Sequence, residues 1–97
     1  KQMNKAPTTF KPSTTQTVAA GSTSAASSAF GSETREVRIV TTVDAYVEFG
    51  SSPTASSSSL IVPAFTVEYF RVAPASKVAV LRVGSTTGTS RVTELTQ

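Results

Sequence analysis

The sequence predicts an all-β fold, a small antiparallel β-sandwich of the jelly-roll or immunoglobulin-like kind with an extended N-terminal arm. Three observations support this prediction. Short runs rich in Val, Thr, Tyr and Phe recur about every 8–12 residues, separated by turns rich in Gly, Pro and Ser. Apolar and polar residues alternate with a period of two in the middle of the chain. No window shows the periodic Leu, Glu and Lys content that favours a helix.

The chain opens with a basic segment, residues 1–12, which we expect to form an extended arm because its two prolines disfavour a helix. Its three lysines account for the whole net charge of +3, since residues 33–97 carry six acidic and six basic side chains. The next segment, 13–34, is rich in Ser, Thr and Ala. It leaves two alternatives open, a linker or one or two weak strands near 16–19 and 25–30.

The clearest strand pattern follows Arg35. From there to Phe49, apolar residues fall on odd positions and polar or charged residues on even ones. Fifteen residues exceed the usual strand of about 5–6, so we expect a bend near 42–44 that divides the run into two strands. Val40 and Tyr46 break the alternation and place apolar groups on the outward face. We expect the N-terminal segment or a partner chain to cover them.

The remaining elements complete a sandwich domain over 35–97. Leu60-Ile61-Val62 forms a short strand that Pro63 ends, and adjacent Tyr69 and Phe70 on the next strand should point to opposite faces. KVAVLRV is apolar on both faces, which suits a central strand. The expected elements are a loop over 50–59, a strand over 65–72, a turn over 73–76, the central strand over 77–83, a hairpin connection over 84–88 and a final strand over 89–95.

The composition argues against catalysis. Cysteine and histidine are both absent, so the chain has no thiolate nucleophile, no disulfide, no Cys-based metal site and no imidazole base. Asp44 and Glu48 share one strand face but lie about 13 Å apart along it, which exceeds the carboxylate spacing of glycosidases. No glycine-rich loop precedes Lys-Ser or Lys-Thr. We therefore expect no enzymatic activity, metal or cofactor.

Charge and hydropathy limit the partners. A sequence pI near 9.7 raises the question of nucleic acid, but the lysines of the arm are widely spaced and no nucleic-acid-binding motif accompanies them. No apolar run approaches the roughly 20 residues of a membrane span and no leader pattern opens the chain. We expect neither a nucleic acid nor a membrane partner. An exposed ring at Tyr46 or Tyr69 leaves a sugar-binding module as an alternative.

One stretch, Val37 to Val83, carries a series of short motifs, and a closing V-T-E follows at Val92–Glu94. The motifs of the stretch are Y-V-x-F/I-G at Tyr46–Gly50, S-x-P-T-A at Ser51–Ala55, an apolar strand with proline at Leu60–Pro63, E-Y-F-R-V at Glu68–Val72 and K-V-A-V at Lys77–Val80. With its motifs in this order, the sequence resembles small structural proteins of tailed bacteriophages, and the resemblance covers about half of the chain. The sequence departs from such proteins at Ala75, where they often have glycine after the proline.

The resemblance implies a component of the virion, with the capsid surface favoured as its location and the neck or tail as the alternative. The first expectation is a capsid decoration (cement) protein that bridges major capsid protein subunits. A head–tail, neck or tail-fibre-base subunit is the alternative. A folded part of about 65 residues buries little core on its own, so we expect a homo-oligomer, a trimer being favoured. The candidate contact residues are Lys1, Lys5, Phe10, Lys11, Val40 and Tyr46.

Overall fold

Eight β-strands form the part of the chain that the computed structural model describes, residues 11–96, and none of these residues is helical. The all-β expectation is therefore confirmed. The strands are β1 (Lys11–Ala20), β2 (Ala25–Ala26), β3 (Glu36–Thr41), β4 (Ala45–Gly50), β5 (Leu60–Val62), β6 (Glu68–Arg71), β7 (Lys77–Arg82) and β8 (Gly88–Thr96).

The strand pairing is that of one long antiparallel hairpin folded over into two sheets. β1 pairs with β8, β2 with β7, β3 with β6 and β4 with β5, all antiparallel. Further pairing of β3 with β8 and of β4 with β7 joins them into a first sheet, β1-β8-β3-β6, and a second sheet, β2-β7-β4-β5. Eight strands wrapped in this way over two sheets form a jelly roll. The structure thus selects the jelly roll from the two kinds of sandwich that the sequence suggested.

The sandwich begins at Lys11, earlier than the boundary at residue 35 that the sequence suggested. β1 pairs with β8 over most of its ten residues, and β2 pairs with Val80 and Ala79 of β7. Lys11 and Pro12, assigned to the arm from sequence, are the first residues of β1. β1 contributes only Val18 and Ala20 to the core, so its sequence carries little hydrophobic signal. The backbone pairing with β8 orders this segment. The amino-acid pattern of the segment by itself gives only a weak strand signal.

The core lies between the sheets and follows the alternation seen in the sequence. In β3, Val37, Ile39 and Thr41 are fully buried, and their neighbours are only partly so. The expected bend is confirmed, since β3 ends at Thr41 and β4 begins at Ala45. At this bend the chain crosses from the first sheet to the second.

The expectation for β7 is confirmed and the one for the loop after it is wrong. β7 lies between β2 and β4, and Val78, Ala79 and Val80 are fully buried. The loop 83–87, however, joins β7 of the second sheet to β8 of the first, so it is no hairpin. Gly and Ser residues indicate that the chain reverses direction. They do not show whether the reversal joins two strands of one sheet or crosses from one sheet to the other.

Four loops meet at one end of the sandwich, which we call the corner end. They are the connections β1–β2, β3–β4, β5–β6 and β7–β8, and backbone hydrogen bonds tie them together. The amide of Arg82 donates to Gly21 O (3.0 Å), that of Val83 to Asp44 O (2.9 Å) and that of Phe65 to Thr41 O (2.8 Å). The loop β5–β6 is therefore held firmly in place.

Candidate interaction surface

Exposed apolar side chains are concentrated in one short segment of the molecule. Within residues 11–96, six large apolar side chains are more than a third exposed, and five of them fall between positions 60 and 69. The sixth, Val83, belongs to the corner end. We call the five the apolar edge: Leu60, Ile61, Phe65, Val67 and Tyr69, with exposed fractions of 51%, 50%, 73%, 46% and 47%.

The topology explains why these side chains lie together. β5 and β6 are the last strands of their sheets on the same side of the sandwich, and the loop 63–67 connects them. Among the described strands β5 pairs with β4 alone and β6 with β3 alone. Sheet edges of this kind are usually short or charged, which discourages further pairing. These two are short, but they carry apolar groups. Ile61 lies on the outer face of the second sheet and Tyr69 on that of the first, with Phe65 in the loop between them. Exposed apolar groups of this kind are typical of interaction surfaces.

Phe65 is the most exposed residue of the apolar edge and has an uncommon backbone conformation. Its φ of 57° lies in the left-handed region, which bulky residues avoid. The amide of Phe65 donates to Thr41 O, and the preceding amide of Ala64 donates to Asp44 Oδ1 at 2.8 Å. The hydroxyl of Thr66 donates to Pro63 O at 2.8 Å. These hydrogen bonds order the backbone of the loop, and the side chain of Phe65 projects from it into solvent.

The candidate contact residues predicted from sequence do not form one site. Val40 lies on the outer face of the first sheet, opposite Arg91, and is half-buried. Tyr46 lies on the outer face of the second sheet between Ile61 and Leu81, and is also half-buried. Tyr46 is thus next to Ile61 of the apolar edge. Val40, on the other layer, lies two residues along β3 from the position opposite Tyr69.

Three lysines and one aromatic residue of the N-terminal segment complete the predicted set. Lys11 is exposed and pairs with Thr96 at the end of the sandwich opposite the corner end. Lys1, Lys5 and Phe10 lie outside the described residues. Their role in contacts stays a prediction.

The two aromatic residues of β6 point to opposite faces, which confirms the expectation from sequence. Phe70 packs inward, with its ring centroid 5.1 Å from that of Phe49 and the planes tilted by 47°. Tyr69 points outward from the first sheet, opposite Arg38. Tyr46 belongs to the second sheet, so the two tyrosines considered for sugar binding do not share a stacking surface.

Sequence reasoning missed most of the apolar edge. Leu60, Ile61 and Phe65 are apolar, and apolar residues in a predicted sandwich are expected to lie in its core. One signal was present: a run of three apolar residues that ends at Pro63 is typical of an edge strand. Nothing in the local pattern indicates that the ring of Phe65 points outward, because its orientation depends on the hydrogen bond to Thr41.

The described part of the chain offers little for other kinds of site. Between residues 11 and 96 no three Asp or Glu side chains come together in a group that could hold a metal ion. No helix in that range is long and apolar enough to span a membrane. Comparison with protein-family models, curated proteins and solved structures found no match to this chain.

Proposed function

We propose that this chain is a non-enzymatic structural protein of a bacteriophage virion, a capsid decoration protein that stabilises the shell by bridging neighbouring subunits. The observation that carries the proposal is the apolar edge, a fixed apolar surface on a small jelly roll. The resemblance of Val37–Val83 to structural proteins of tailed phages supplies the setting. Jelly rolls occur in viral capsid proteins and in lectins, so the fold is compatible with this role without specifying it.

The proposed mechanism is burial of the apolar edge against a neighbouring subunit. Complete burial of a large apolar side chain contributes about 1.5–3 kcal/mol. Five side chains that start about half exposed therefore contribute on the order of 5 kcal/mol in total. The loss of translational and rotational freedom on association costs at least about 4 kcal/mol. One such contact is therefore weak by itself.

A weak single contact favours an oligomer. When several copies are joined, the second and third contacts with the shell become intramolecular, and the overall affinity exceeds that of any one contact. We therefore propose a homo-oligomer, with a trimer favoured, attached to the major capsid protein or another virion protein. The loop that carries Phe65 reduces the cost of association, because its backbone is already ordered by hydrogen bonds.

Copy number in purified phage particles tests the proposal. Quantitative mass spectrometry of intact virions should find this chain at hundreds of copies, in a fixed ratio to the major capsid protein. About a dozen copies or fewer would indicate a symmetric ring in the neck or tail and would overturn the assignment to the shell. Absence from purified particles would overturn the virion proposal altogether.

A further inference from the structure

The outer face of the first sheet carries three arginines on three adjacent strands. Arg71 lies on β6, Arg38 on β3 and Arg91 on β8, and we call them the arginine diagonal. Arg38 is opposite Tyr69 on one side and opposite Thr93 on the other. Arg71 is thus two residues along β6 from Tyr69, and Arg91 is two residues along β8 from Thr93. Residues in that diagonal relation have Cβ atoms about 7–8 Å apart.

All three side chains point away from the core. Their strand neighbours Val37, Ile39, Phe70 and Val92 belong to the core or pack against it, and side chains alternate along a strand. Arg71 and Arg91 are exposed and Arg38 is half-buried.

The charged side chains on this face are mostly positive. Glu36, opposite Arg71, is the one carboxylate at an outward position on the four described strands of the first sheet. Glu68 and Glu94 occupy inward positions, opposite Ile39 and Val37 respectively. The face therefore carries three positive groups against one negative group, and it complements a surface rich in carboxylates.

We propose that the arginine diagonal binds an acidic protein surface. Guanidinium groups match carboxylates with paired hydrogen bonds, and Arg and Tyr are enriched at protein–protein interfaces. The face presents both, together with the half-buried side chain of Val40. Single-stranded nucleic acid binds to several stacking aromatics along a basic groove. On the described strands of this face the outward aromatic residue is Tyr69 alone, and Glu36 lies beside the arginines.

The face is continuous with the apolar edge, because Tyr69 belongs to both. One partner could therefore contact the two surfaces together. That this acidic protein is the capsid shell rests on the proposed function. The preference of the face for carboxylates does not.

Binding to poly-L-glutamate at low salt tests the inference. R38Q/R91Q removes two positive charges from the face, and R35Q/K77Q removes the same charge elsewhere, from the loop before β3 and from the outer face of the second sheet. We expect R38Q/R91Q to weaken binding at least about 10-fold, equivalent to about 1.4 kcal/mol, and R35Q/K77Q to weaken it less than about 2-fold. Thermal unfolding of both variants should match that of the parent chain, since the substituted side chains lie outside the core.

Three results would overturn the inference. Equal weakening by both variants would show a bulk charge effect. Tighter binding to a single-stranded thymidine oligonucleotide than to poly-L-glutamate would show a nucleic-acid surface. Failure of the parent chain to bind poly-L-glutamate at low salt would show no anion surface at all. Binding of the parent chain to phage particles, measured in parallel, reports on the proposed function separately, because either assay can fail while the other succeeds.

Discussion

At the scale of single residues, two side chains occupy backbone conformations that normally favour glycine. Phe65 and Ala75 have φ values of 57° and 64°. Ala75 follows Pro74 in a turn that the amide of Ser76 closes on Ala73 O at 3.3 Å. A turn with proline at its second position and positive φ at its third is of type II and prefers glycine at the third.

Replacing Ala75 with glycine should stabilise the fold. Ala75→Gly removes a left-handed strain of about 1–2 kcal/mol and increases the entropy of the unfolded chain, which offsets about 0.4–1 kcal/mol of the gain. We expect a net rise of about 0.5–1 kcal/mol in the free energy of unfolding, measured by urea titration. Ala19→Gly, at an exposed position within β1, is the control and should lower stability by about 0.5–1 kcal/mol. A loss of stability in both variants would contradict the account of the turn.

Gly88 and Gly84 form a second matched pair at this scale. A Cβ on Gly88 would collide with Thr42 Oγ1 and lie 2.9 Å from both Cγ atoms of Val43, whereas a Cβ on Gly84 would meet nothing within 4 Å. Gly88→Ala should therefore lower the free energy of unfolding by about 1–3 kcal/mol. Gly84→Ala should leave it unchanged or slightly higher. Equal effects in a thermal melt would show that the start of β8 does not pack closely against the corner at 42–43.

At the scale of strands and loops, Glu94 of β8 ties the connection between β2 and β3 to the first sheet. Its carboxylate is buried, and Oε1 accepts hydrogen bonds from Thr34 Oγ1 (2.6 Å) and from the amide of Gly31 (2.9 Å). The two hydrogen bonds give the buried carboxylate of Glu94 a structural role inside the sandwich.

Substitutions at two buried hydroxyl residues, one hydrogen-bonded and one not, test the structural role of Glu94. Thr34 donates to Glu94, while Ser90 Oγ is buried without a hydrogen-bond partner. Thr34→Val leaves a buried carboxylate with one donor fewer and should cost about 1–3 kcal/mol of stability. Ser90→Ala removes an unpaired polar atom and should be neutral or stabilising. The measurement is the midpoint of urea unfolding, and a larger loss in Ser90→Ala than in Thr34→Val would refute this account of the core.

The sequence predicted the elements that bury their own apolar residues. The period of two over 35–49 located β3 and β4, and the apolar run at 77–83 located the central strand β7. β1 and β2 were less certain from sequence, because Ser, Thr and Ala bury little area and these strands are ordered by pairing with β8 and β7. The apolar edge was not predicted, because composition shows that Leu60 or Phe65 is apolar and does not show whether another element covers it.

At the scale of the whole molecule, the inclusion of β1 and β2 changes the argument for assembly. A folded part of about 65 residues would bury a marginal core, and the jelly roll over 11–96 is larger than that. The argument that the protein binds a partner therefore depends less on an insufficient hydrophobic core and more on the side chains exposed at its surface. Two surfaces contribute to it, the apolar edge and the arginine diagonal, and Tyr69 joins them.

Occupancy of phage particles by a Phe65→Asn variant tests the central claim most directly. Asn tolerates positive φ better than Phe, so the variant relieves strain of about 1 kcal/mol while it removes the most exposed ring of the apolar edge. The account predicts a melting temperature equal to or above that of the parent chain together with a clear loss of particle occupancy. Ala75→Gly, which relieves strain away from the apolar edge, should keep full occupancy. Parental occupancy by Phe65→Asn, with the fold intact, would contradict the claim that this surface joins the chain to its neighbours.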